Sequence, residues 1–452
     1  MDKLTFAICG VLFLISVMTS RKRPLSPIVF FYALWTFILF LSVLNLYDIY
    51  KPSDEAYLLI LLMLLFFYIG SLNSFFTIKK VGLPKTNEIS ALAQNEPNFR
   101  LFYFLTIFAI VFALIDCVIV IKLFLGGVPM WQIRNWGLAA FGAENPMVEG
   151  RSFLEEIFRS LMIAPFRALI PPVAAFSFFN PESKNKHRPL LILSLVSLLL
   201  STVAGGGGRL GYINYFGCFL LAFLAFSNKS IFRNFNAKKY KKYVLLVLIF
   251  GVFVVVLFTN IRTGAGNFIR QTYTYFALPP TLLSVWLTEI KTVRPLFGLL
   301  TFFGLHSYFF RGFQTLHLNF LVPEVYQVTF DQVLNAEVFR NTGYGVGNAF
   351  VTPVYYFFID GGYLFVCIAS MFFGICVARF FKRFIVKINI KTFTYYALVM
   401  FGVLLSMMRI QTCIPAYWIS FLFASILLRP KRPKFKHAPA LSAHGNGGNR
   451  NE

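Results

Sequence analysis

The sequence predicts an all-α, polytopic helical membrane protein, on three observations. The 452 residues are 58% hydrophobic with a mean hydropathy of +0.69, more apolar and less charged than a soluble domain of this size. Apolar stretches recur at close to the ~20 residues that carry a helix across a bilayer. The 42 Lys and Arg sort by connector instead of spreading evenly. The sequence lacks the short alternating strands of a membrane barrel. Its 57 Phe and 21 Tyr suit lipid contact and interfacial belts. A net charge of +24 would suggest nucleic acid for a soluble chain. Here topology accounts for it, and no nucleic-acid partner is expected.

Apolar length places about eleven spans: 4–20, 27–46, 57–77, 101–121, 161–179, 190–204, 210–227, 243–259, 361–380, 393–409 and 413–428. Segment 4–20 is read as a retained helix, because Arg21-Lys22-Arg23 follows the apolar run, whereas a signal peptide carries its charge ahead of it. Alternate connectors (21–26, 78–100, 180–189, 228–242, 379–392 and the tail from Arg429) hold 27 of the 42 cations and leave 15 elsewhere. That basic side is cytoplasmic by the positive-inside rule. An odd number of spans then puts the N-terminus outside and the C-terminus inside. Residues 1–430 read as one transmembrane domain with external loops 122–160 and 260–360. The Gly/Asn-rich tail 431–452 reads as disordered and cytoplasmic.

Loop 260–360 organises the chain. Two apolar stretches within it, 273–287 and 296–310, are short for a crossing, and Pro279-Pro280 interrupts the first. They are expected as amphipathic or re-entrant helices packed on the bundle. Two further crossings would raise the count to about thirteen without moving either terminus. The sequence shows neither an internal repeat nor the paired broken helices of a transporter's inverted halves.

The choice of cation is informative. Of the 27 cytoplasmic cations 17 are Lys, whereas of the other 15 eleven are Arg. The positive-inside rule does not distinguish Arg from Lys. The planar Arg fork does, because it grips phosphate or carboxylate bidentately. An outward set of Arg therefore points to an anionic ligand. Gly205–Gly208 with Arg209 opens a span whose N-terminus faces outward, and helix N-termini and glycine backbone favour anions. Arg262 and Arg270, in NIRTGAGNFIR, flank two glycines and suit a diphosphate, unless they form an interfacial belt. Arg311 lies between His306 and His317, which are about three helical turns apart and are candidate bases. Asp360, ahead of Gly361-Gly362, serves as a base, holds an arginine, or caps a helix. Arg409 sits in the tight turn between the last two spans. Arg167 and Asp116 are intramembrane charges that need partners or a task. Asp48, Asp54 and Glu55 form an acidic outer loop, better suited to solvation than to a metal. The six cysteines lack metal or disulfide spacing. Walker A, GxSxG and HExxH motifs are absent, which disfavours ATP-driven transport, serine hydrolysis and zinc proteolysis.

With these residues placed, the chain resembles a bacterial oligosaccharide repeat-unit polymerase of the Wzy type, the O-antigen polymerases. The resemblance is carried by GGGGRLGYINYF (205–216), by NTGYGVGNAFVTPVYYFFIDGGYLFVCIASMFFG (341–374), and by a large external loop before the last three helices. It implies a GT-C-like fold and a glycosyltransferase of the inner membrane that uses neither metal nor other cofactor. Its substrates would be undecaprenyl-diphosphate-linked oligosaccharides delivered to the periplasmic face. A flippase and a chain-length regulator would be partners. Arg209, Arg262, Arg270 and Arg311 match the family's outward arginines, and Arg409 is added to the diphosphate set. The family gives no specific base, so Asp360, His306 and His317 all stay open. A lipid-linked sugar flippase and an O-antigen ligase remain as alternatives.

Overall fold

A computed structural model of the chain describes residues 1–20, 25–80, 99–129, 132–133, 155, 158–180, 187–205, 210–227, 242, 245, 249, 256, 268–291, 293–343, 345–347 and 351–429. In chain order the helices are α1 (Asp2–Thr19), α2 (Pro27–Leu44), α3 (Asp54–Lys80), α4 (Phe99–Leu125), α5 (Arg159–Phe179), α6 (Arg188–Ala204) and α7 (Leu210–Ser227). After them come α8 (Phe268–Ile290), α9 (Phe303–Thr315), α10 (Glu324–Asn335), α11 (Thr352–Val386), α12 (Ile390–Leu404) and α13 (Pro415–Leu427). The described residues contain one small strand pair, Arg340–Asn341 (β1) antiparallel to Val346–Gly347 (β2).

Among the described residues, eight helices are long and apolar enough to cross a membrane: α1 to α5, α7, α11 and α12. The chain is a helical membrane protein. Helices α6 and α13 are apolar but shorter. The expected span at 243–259 falls almost wholly outside the described residues, as does the tail 431–452.

The bundle holds two apolar cores. One joins α1, α2 and α3 to α8 and the first half of α11. The other joins α4, α5, α6 and α7 to the far end of α11 and to α12 and α13. Helices cannot be driven together in lipid by the hydrophobic effect, so close approach depends on small residues. The closest packing is α3 against α11. A Cβ on Gly70 would lie 2.0 Å from the Met371 carbonyl oxygen, and one on Gly374 would lie 2.2 Å from that of Phe67. Backbone meets backbone at both points.

The described residues between 268 and 347 form a layer over one end of the first core. Helix α8 lies across the α2–α3 connector. Its Tyr273 hydroxyl donates to the Leu41 carbonyl and accepts from the Leu46 amide, each at 2.7 Å. Thr281 donates to the Tyr50 carbonyl, and Ser284 accepts from the Ser53 amide. These bonds bracket Pro279-Pro280, which lie inside one continuous helix and do not interrupt it. The second short stretch also differs from expectation. Residues 296–302 are a turn, and α9 runs from Phe303 to Thr315. Phe297 and Phe320 point out of the layer, 83% and 81% exposed. An apolar surface of that kind suits a membrane interface.

Candidate functional site

The layer is fixed to the bundle at a break in α11. The helix begins at Thr352, earlier than the expected start at 361, because Val351–Ile359 is apolar and buried and joins the helix. The break comes at Gly361-Gly362, where Gly362 takes φ +63°, a conformation that suits glycine. A break frees carbonyls. Those of Ile359 and Asp360 accept the amides of Leu296 (3.3 Å) and Phe297 (2.8 Å). The Asp360 carboxylate adds two more bonds, accepting the amides of Leu300 (3.0 Å) and Thr301 (2.8 Å). Asp360 is completely buried. Of the roles the sequence allowed, the contacts are those of a cap, made on the 296–302 turn instead of on its own helix. Among the described residues, no arginine pairs with it.

His306 follows that turn. Its Nε2 lies 2.9 Å from the Leu299 carbonyl oxygen, which requires the Nε2–H tautomer. The Nδ1 lone pair is buried and, among the described residues, has no hydrogen-bond partner. Phe303, Phe310 and Tyr326 surround the ring. Tyr326, from α10, donates to the Ser307 carbonyl and also meets Arg311. Burial raises its phenol above the ordinary value, against the pull of Arg311.

Arg409 closes the same region from the other side. Its turn is bound to the layer by Thr412, which donates to the Thr301 carbonyl at 2.6 Å, and to α11 by the Thr352 amide on the Met408 carbonyl. Arg409 forms a half-buried ion pair with Glu337. Burial opposes its charge, but Glu337 together with Cys413 and Tyr356 more than offsets that and raises its pKa. Asp360 and His306 therefore both bind residues of the 296–302 turn, and the segment that carries Arg409 is tied to it through Thr412. The partner Glu337 was missed in the sequence. A lone acid 72 residues away carries no local signal.

Three of the four arginines of the layer, Arg270, Arg311 and Arg340, share a device. The guanidinium carbon of Arg270 lies 5.5 Å from the centre of the Tyr47 ring, that of Arg311 5.0 Å from Phe330, and that of Arg340 4.2 Å from Trp286. A ring face attracts the cation and restrains the side chain that carries it. Arg340 also pairs with Glu289 at 2.7 Å. Arg270, at the start of α8, belongs to the α2 end of the layer, apart from the 296–306 turn. His317 ends α9 in an exposed turn with φ +58°. It does not join His306. Arg209 and Arg262 lie outside the described residues.

The acidic residues at the start of α3 are used for ion pairs and hydrogen bonds. Glu55 accepts from Lys291 Nζ (2.6 Å) and from the Tyr363 hydroxyl (2.7 Å), and Asp54 meets the terminal amine of Met1. Among the described residues, no group of three His, Cys, Asp or Glu could hold a metal. The intramembrane charges are paired in the second core. Arg159 Nη1 lies 2.6 Å from Asp116 Oδ1, with Arg167 3.8 Å from the other oxygen and Glu155 completing the group. A π-helical turn at Arg159–Ile163 sits where these charges meet.

No family profile, curated protein or solved structure matches the chain.

Proposed function

We propose that the protein is a polymerase that joins polyprenyl-diphosphate-linked oligosaccharide repeat units at the outer face of the bacterial inner membrane. One observation carries the reading. The layer carries three arginines, each with its guanidinium over an aromatic ring, and the connectors that the charge pattern of the sequence assigns to the other side of the membrane carry mostly lysine. Fixed guanidinium forks suit an oligophosphate more than a neutral sugar. The exposed phenylalanines of the layer suit a substrate held in the membrane plane.

In the proposed reaction, a hydroxyl of one unit attacks the anomeric carbon of the other. The new glycosidic C–O bond forms as the bond to the carrier diphosphate breaks, and polyprenyl diphosphate leaves with the electron pair. The leaving group is already acidic, so it needs charge stabilisation, which Arg209, Arg262, Arg270 and Arg311 provide. The acceptor hydroxyl gives up its proton to a base as the new bond forms, with His306 and His317 as the candidates. Asp360 positions the 296–302 turn that precedes His306.

A strain lacking the gene tests the reading. A lost polymerase leaves one repeat unit on the lipid anchor, a lost ligase leaves none, and a lost flippase starves both steps. Arg209→Ala, Arg262→Ala and the double variant R270A/R311A should each reproduce the single-unit band. Normal long-chain ladders from all three would overturn the proposal.

A further inference from the structure

A cationic concavity lies at the end of α11 away from the layer. Arg379, Lys382, Arg383 and Lys387 recur at the spacing that puts them on one face of the helix end. Lys391, in the first turn of α12, faces the same space. Together with Tyr395 they enclose about 670 Å³. No carboxylate lines it, and among the described residues none of the five cations is paired with an acid. A positive-inside bias explains cations scattered along a connector. It does not explain five gathered round one hollow, where they repel each other unless an anion enters.

The surroundings are built to hold that arrangement. Asn389 caps α12 by accepting the Thr392 amide (2.9 Å), and Thr392 returns the bond to the Asn389 amide (3.2 Å). The positive end of α12 therefore opens into the hollow. Lys391 is steadied by the Ser425 carbonyl (3.2 Å) and by the Tyr395 ring, and Arg383 lies over Phe380. The rest of the wall is apolar: Val386, Ile390 and Leu428. A soluble phosphate has no use for that side, but the glycerol and acyl stems of a lipid do.

We propose that this pocket binds the phosphate headgroup of an anionic membrane phospholipid, of the phosphatidylglycerol or cardiolipin class. The inference rests on the protein being a helical membrane protein and is independent of its reaction. Basic pockets between helix ends are suited to such headgroups.

The test uses the full-length protein in nanodiscs of phosphatidylcholine with and without added cardiolipin, read by native mass spectrometry and by lipid titration. Wild type should retain cardiolipin in preference to phosphatidylcholine. The variant K382Q/K387Q should bind it about thirtyfold more weakly, from the loss of two cations near the headgroup. K382R/K387R should restore binding, and K431Q/K434Q in the tail should leave it within about twofold of wild type. A K382Q/K387Q variant that melts like wild type and binds cardiolipin equally well would overturn the proposal. So would inorganic phosphate or pyrophosphate displacing the lipid at equal concentration, because the ligand would then be a soluble anion.

Discussion

Asp360→Asn separates positioning from chemistry at the break in α11. The carboxylate accepts two backbone amides at 3.0 and 2.8 Å in a fully buried site. Hydrogen bonds to a charged group contribute about 1.5–3 kcal/mol each. Asparagine keeps one acceptor and turns an NH2 toward a backbone N–H, leaving both donors unpaired. The expected loss is about 2–4 kcal/mol, one bond plus the desolvation left uncompensated. The backbone bonds from Leu296 and Phe297 remain, so the turn loosens without detaching. The assay is thermal unfolding of the purified variant in detergent, paired with a polymer ladder from cells carrying it. The melt should fall by several degrees and the ladder should weaken together with it. A variant that melts like wild type yet makes no polymer would refute the argument, because the carboxylate would then be acting on substrate.

Other outcomes follow from the packing. Gly70→Leu and Gly374→Leu force backbone apart and should each cost at least about 1–3 kcal/mol, seen as lower melting and poorer yield, whereas Gly10→Leu, with open space at its Cβ, should be neutral. Arg409→Ala and Glu337→Ala should each destabilise, and R409A/E337A should cost less than their sum by about 1–3 kcal/mol in a double-mutant cycle. Asp116→Asn leaves Arg159 and Arg167 short of a counter-charge in the second core, and the swap D116R/R159D should recover part of the lost yield in the membrane.

The spans were legible because crossing length is a strong constraint on composition. Helices α1 to α5 and α7 fall close to where their apolar runs place them. Helix α11 was legible only in part. Asp-Gly-Gly reads as the start of a helix, and only the burial of Val351–Ile359 on the first core shows that helix precedes it. Pro279-Pro280 misled for a similar reason. Proline removes local bonds, but the hydroxyls of Tyr273, Thr281 and Ser284 bind α8 to residues more than 200 positions away. Of the candidate site, the arginines were legible as a class. Their aromatic beds at Tyr47, Trp286 and Phe330, and the Glu337 partner of Arg409, come from tertiary proximity that no spacing encodes.

The proposed chemistry requires the arginine-bearing layer to face the outside of the cell. In a protein with its six native cysteines replaced, single cysteines at Gln314 in the layer and at Lys387 at the far end of α11 measure this with a membrane-impermeant thiol label. The account predicts that position 314 labels in intact spheroplasts and that position 387 labels only after the membrane is opened. The reverse pattern would place the layer in the cytoplasm and contradict the proposed reaction.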